Sequence, residues 1–89
     1  MITKKMKRMV ESLYASIDMF EKEVTITAPY DGRVYKFPVE IGSDRKFAHS
    51  VISEYTALKE ESKDPYDVKN LLKAMSFLAM DVEVETMKS

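Results

Sequence analysis

Between Val24 and Ile41 the chain alternates apolar and polar residues with a period of two. Val24, Ile26 and Ala28 alternate with Thr25 and Thr27, and Pro29-Tyr30-Asp31-Gly32 interrupts the run. Tyr35, Phe37, Val39 and Ile41 then alternate with Lys36, Pro38 and Glu40. Successive side chains of a strand point to opposite faces, so residues 24–41 predict a β-hairpin with one apolar face. A two-residue Asp31-Gly32 turn pairs Val24 with Val39, Ile26 with Phe37 and Ala28 with Tyr35. A four-residue Pro29-to-Gly32 loop pairs Val24 with Phe37 and Ile26 with Tyr35. Both registers keep apolar residues opposite one another, whereas a three-residue loop sets Ile26 against Lys36 and turns the apolar set to water. Gly32 supplies the positive φ that either loop wants. In both registers Pro38 falls at a non-hydrogen-bonded pair, where its missing N–H points away from the partner strand and blunts the outer edge.

Cross-strand apolar pairs contribute roughly 0.2–1 kcal/mol each, too little to hold a hairpin alone. Helices must therefore cover its apolar face. A first helix is predicted over residues 3–22, from Thr3 to Glu21 or a little beyond. Met6, Val10, Leu13, Ile17 and Phe20 step along one stripe of a 3.6-residue period, with Met9 and Tyr14 widening it. A second helix, over residues 44–62, starts after Gly42 with Ser43 or Asp44 as its cap. Its stripe is Phe47, Val51, Tyr55 and Leu58, flanked by Ala48 and Ile52. Asp64-Pro65-Tyr66-Asp67 opens a third helix over residues 65–80, since Asp64 can cap, Pro65 suits the first position and Asp67 adds a carboxylate to the first turn. Val68, Leu71, Leu72, Met75, Leu78 and Ala79 form its main face, but Ala74, Phe77 and Met80 spread apolar surface around the cylinder. Such a helix is central in a fold or contributes to an interface. The tail, residues 81–89, contains the alternating stretch Asp81 to Thr86, which fits a short third strand or equally a frayed end. The Pro38 argument places such a strand beside Val24–Ala28. The expected fold is α+β in one domain: an N-terminal helix, the hairpin with that candidate C-terminal strand, and an antiparallel helix pair packed on the hairpin's apolar face.

Composition narrows the function classes. Of the 89 residues, 45% are apolar and 33% charged, a balance that belongs to globular rather than disordered chains. A formal charge of −1 gives no overall field to draw nucleic acid or an anionic membrane. With no cysteine, disulfides, thiol catalysis and thiolate metal sites are excluded. No apolar run nears the roughly 18 residues of a membrane span. Glu11, Asp18 and Glu21 interrupt what would have to be the apolar part of an export signal. The expected setting is cytoplasmic.

Enzymatic chemistry finds little support. His49 is the sole histidine, and its neighbour Ser50 points about 100° away on a helix. A lone histidine does not build a zinc site, and Gly32 and Gly42 alone cannot form a phosphate-binding loop. Asp81, Glu83 and Glu85 on a strand would share one face, a row that suits solvent better than a hard cation. No catalysis, cofactor or metal is expected.

Two binding readings remain. Protein binding comes first, because it explains the wide third helix and seven methionines, flexible side chains that recur at adaptable surfaces. Its candidate contacts are Phe77 and Met80 on the third helix, the hairpin tip from Tyr30 to Arg33, and the basic group Lys4, Lys5, Lys7 and Arg8. A homodimer through the third helix is the plainest version. The alternative is nucleic-acid binding, with the same basic group contacting phosphates and Tyr30 or Tyr35 stacking on a base. The chain resembles in kind, though in no quotable motif, the small accessory and host-directed proteins made by bacteriophages. That likeness implies a regulator or inhibitor of a cellular protein.

Overall fold

A computed structural model describes residues 1–61 and 69–88. Its elements in chain order are α1 (Lys4–Glu11), β1 (Ala15–Asp18), β2 (Glu23–Thr27), β3 (Val34–Pro38), α2 (Asp44–Glu61) and α3 (Lys69–Met87). The three strands form one antiparallel sheet in the order β1-β2-β3. This is the expected α+β architecture, an N-terminal helix and a helix pair packed on an antiparallel sheet.

The β2–β3 hairpin takes the four-residue register: Val24 faces Phe37 and Ile26 faces Tyr35. The Ala28 N–H donates to the Arg33 carbonyl at 2.8 Å, and the Gly32 N–H donates to the Ala28 carbonyl at 3.0 Å. Gly32 sits at φ +70°, where only a glycine is free of strain. The Val39 N–H donates to the Lys22 carbonyl, which makes the adjoining Glu23–Pro38 pair non-hydrogen-bonded, as the pattern predicted. Val24, Ile26 and Phe37 are buried on the inner face, while Lys36 and Pro38 are exposed.

The first helix is shorter than its apolar stripe predicts, and the difference creates a strand. Thr3 caps α1 through its side-chain oxygen, which accepts from the Met6 N–H at 3.1 Å. At the other end the Ser12 N–H is shared between the Arg8 and Met9 carbonyls, and the Ser12 hydroxyl donates to Met9 as well. Those bonds close the helix at Glu11, and Tyr14 then takes φ +60° and turns the chain into β1. Leu13 and Ile17 are half-buried, and Phe20 stands in water at the tip of the β1–β2 loop. Asp18, whose side chain accepts from the Phe20 and Glu21 N–H groups, shapes that loop. Lys22 at φ +56° closes it, in the place Gly32 holds in the second hairpin. Ala15 pairs with Ile26 and Ile17 with Val24, so β1 extends the same apolar face.

The tail is likewise not a strand. α3 runs on to Met87, and Val82 is fully buried on it. The third strand does lie beside β2, the side the Pro38 argument left open, but β1 supplies it. The predicted helix start at Asp64-Pro65-Tyr66-Asp67 falls outside the described residues. Ser43 caps α2, its hydroxyl accepting from the Lys46 N–H at 3.1 Å.

One cluster of buried side chains joins Met6 and Val10 of α1, Val24, Ile26 and Phe37 of the sheet, Phe47 and Val51 of α2, and Met75, Leu78 and Val82 of α3. α3 is the central helix, packing on α1, α2 and β2. α2 reaches the β3 side: the Ser50 hydroxyl accepts from the Glu40 N–H, and Glu54 and Glu61 act on Tyr35. Burial first, then those two carboxylates, raise the Tyr35 phenol above its ordinary value.

Candidate protein-docking site

The α1–β1 turn, the β2–β3 loop and the amino-terminal half of α3 converge on a groove of about 540 Å³. Tyr14, Tyr30 and Phe77 give it aromatic walls, Pro29 adds a rigid edge, and Asn70 and Lys73 provide polar groups. Three features of the sequence bring these residues together. The closing bonds at Ser12 swing Tyr14 out of the helix. The four-residue loop holds Tyr30 at its apex. The helical spacing of α3 puts Lys73 and Phe77 on one side, a turn apart.

Phe77 belongs to a second feature as well. Phe77, Met80, Val84 and Met87 step by three, four and three residues along α3, the spacing of one helical stripe. All four are substantially exposed, from 46% for Val84 to 78% for Met87. Leu71, Met75, Leu78 and Val82 occupy the opposite, buried side. The helix thus carries apolar surface on two faces, one of them unused by the fold. Groove and stripe meet at Phe77, and together they hold six of the large exposed apolar side chains. Continuous surface of this kind marks an interaction site more often than scattered single residues do.

The predicted contacts therefore divide. Phe77, Met80 and Tyr30 fall on this surface. Arg33 is exposed just beyond the β2–β3 loop, where Asp31 accepts from its N–H, and it does not line the groove. The basic group lies on α1 and is partly engaged. Lys5 reaches Glu85 of α3 at 3.1 Å, Lys7 lies 3.9 Å from Glu11, and the Arg8 Nε donates to the Lys4 carbonyl. Lys4 is exposed. Asp18 and Glu21 fall inside the predicted helix, but because α1 ends at Glu11 they lie instead on β1 and in the β1–β2 loop.

Other candidate chemistry is dispersed. On a helix Asp81, Glu83 and Glu85 no longer share a face, and Glu85 is the partner of Lys5. His49 is exposed, and Ser50 is taken up between the Phe47 carbonyl and the Glu40 N–H. Among the described residues no group of three His, Asp or Glu side chains is placed to hold a metal ion, and no helix is long and apolar enough to cross a membrane.

Three exposed apolar residues of this surface, Tyr14, Val84 and Met87, are not singled out by the sequence pattern. Tyr14 widens the apolar stripe of the longer predicted helix, and the tail's alternation masks the fact that Val84 and Met87 lie seven residues beyond Phe77 and Met80. That heptad spacing was the available signal. No known protein family, curated protein or solved structure matches the chain.

Proposed function

We propose that this protein is a small, non-enzymatic protein-binding module that docks a cellular protein, as a regulator or inhibitor, on the surface formed by the aromatic groove and the outer stripe of α3. The observation that carries the reading is Phe77, half exposed where the aromatic groove meets an apolar helical stripe. Aromatic anchors of this type, beside side chains that exclude water, dominate the energetics of protein interfaces. Exposed Met80 and Met87 add adaptable contact area. The groove's polar groups, two tyrosine hydroxyls, an amide and an ammonium, suit orientation of a partner.

The test compares affinity capture from the native cell by the wild type and by Phe77→Glu. The variant is expected to keep the wild-type circular dichroism and melting, because the stripe is exposed, and to lose the captured protein. Loss of folding instead would assign Phe77 to the core; capture that survives a folded variant would overturn the reading.

A nucleic-acid reading draws on one observation, the meeting of Tyr14, Tyr30 and Phe77 with Lys73 in one groove, since bases stack on aromatic rings beside cations. The engagement of Lys5 with Glu85 takes a cation from the basic group and weakens this reading. Retention on immobilised DNA or RNA that falls with rising salt and disappears when Lys4, Lys5, Lys7 and Arg8 become Ala would favour it.

A further inference from the structure

We infer that the outer face of α3 pairs with the same face of a second copy, the two helices running antiparallel with Phe77 of one opposite Met80 of the other. This rests on the docking reading above for the surface alone, and gives that surface to a second copy of the chain, which a cellular partner would have to displace. The argument is charge and register. The stripe Phe77, Met80, Val84, Met87 has the three-four-three spacing with which two helices interlock. Followed back towards the start of α3, the same stripe continues through Lys73 to Asn70.

Three arrangements cover all four apolar residues of this stripe, and charge separates them. A parallel pair stacks each Lys73 on its own equivalent. An antiparallel pair centred between Met80 and Val84 sets Asp81 against Asp81 and Glu83 against Glu83. An antiparallel pair centred between Phe77 and Met80 has no such conflict. It sets Lys73 opposite Val84 of the second copy, at the level where Asp81 and Glu83 flank that valine, and Asn70 opposite Met87. Each lysine then stands between two carboxylates of the other chain, twice by symmetry. Among the described residues no ion pair within the chain engages Lys73, Asp81 or Glu83.

Interface size points the same way. From Phe77 to Met87 the stripe is only about 15 Å long on a helix about 10 Å wide, a strip of roughly 150 Å² against the roughly 800 Å² per partner that a stable interface buries. The register lays Val84 and Met87 of the second copy over Lys73 and Asn70, which line the aromatic groove. Groove and stripe are thus the two halves of one self-complementary surface.

Sedimentation equilibrium on the full chain tests this with two variants, Lys73→Glu and the pair Asp81→Lys with Glu83→Lys. The wild type is expected to dimerise. Each variant alone sets like charges together at both symmetric positions and is expected to dimerise at least about tenfold more weakly. Mixed in equal amounts, the two restore both opposite-charge contacts and are expected to form a heterodimer near wild-type strength. If the half-buried Asp81 disturbs the circular dichroism when replaced, Glu83→Lys alone serves in the same mixture. A wild type monomeric at the highest concentrations reached, or a mixture no tighter than its components, overturns the inference. A monomeric wild type whose captured partner is lost on Phe77→Glu removes the second copy and leaves the docking reading standing. A wild type that neither self-associates nor captures removes both.

Discussion

Thr3 and Asp44 lie 41 residues apart in sequence and hold each other at two points. The Thr3 N–H donates to one Asp44 carboxylate oxygen at 2.8 Å and its hydroxyl donates to the other at 2.9 Å. The same hydroxyl oxygen accepts from the Met6 N–H, so one side chain caps α1 and ties it to the first turn of α2. Asp44 sits where the positive end of the α2 dipole favours a carboxylate. Thr3→Ala removes the cap and the hydroxyl half of the tie, leaving the backbone N–H bond to Asp44, and is expected to cost about 1 kcal/mol. Asp44→Ala is expected to cost a similar amount. The two share one network, so the double variant should lose less than the sum. Urea melts of the three variants measure this; strict additivity would show that the pair is not coupled.

Tyr14 and Lys22 both adopt left-handed backbone, yet they differ in what surrounds them. Tyr14 borders the aromatic groove, whereas Lys22 closes an exposed loop. Holding a non-glycine residue there costs on the order of 1 kcal/mol. Glycine relieves it while losing part of the gain to a freer unfolded chain. Lys22→Gly is therefore expected to raise stability by roughly 0.5 kcal/mol and leave partner capture unchanged. Tyr14→Gly is expected to gain a similar amount and to weaken capture. Equal capture by both variants would remove Tyr14 from the docking surface.

The hairpin was legible because two alternating runs flank a proline-to-glycine turn, and only registers that keep one greasy face survive. β1 was not, for reasons that can be named. Leu13, Ile17 and Phe20 satisfy a helical stripe, while Ala15-Ser16-Ile17-Asp18 satisfies a strand equally well, and four residues are too few to separate the two. The turns on either side of β1 hinge on Tyr14 and Lys22, residues that announce no positive φ. The tail failed in the opposite direction: its alternation is genuine, but tertiary packing of Val82 under a continuing helix outweighs it. At the proposed docking surface, Phe77 and Met80 were legible as apolar positions outside the main face of the third helix, and Tyr30 from its place at the hairpin tip. Tyr14, Val84 and Met87 depended on those two errors of secondary structure.

Val82 and Val84 offer a direct check on the tail. On a strand the two would share a face, but on α3 Val82 is fully buried and Val84 is 46% exposed. Val82→Ala is expected to destabilise by roughly 2 kcal/mol through lost burial and the space it leaves. Val84→Ala is expected to stay within about 0.5 kcal/mol. Equal losses at both positions in thermal melts would contradict the helical tail.

Tyr35 ties stability to alkaline pH. Burial, aided by Glu54 and Glu61, raises its folded value above the ordinary 10.0, so the neutral phenol is favoured in the folded state. The stability this brings is present below 10.0 and is lost as pH climbs through the raised value. The tyrosinate absorbance of the wild type should accordingly contain one component that titrates late, absent from Tyr35→Phe. The variant's melting temperature is expected to fall less steeply with pH above that point. A wild-type titration with no late component would show that the phenol meets ordinary solvent.

Pro38 has one more consequence. Its ring nitrogen bears no hydrogen, and the residue closes the outer strand, so a newcomer's backbone cannot zip along that flank to its end. Fibrillar growth, or capture of a stray extended peptide, is thereby diverted to the opposite flank. There it meets only the four-residue stub Ala15–Asp18, too brief a template to nucleate a cross-β stack readily.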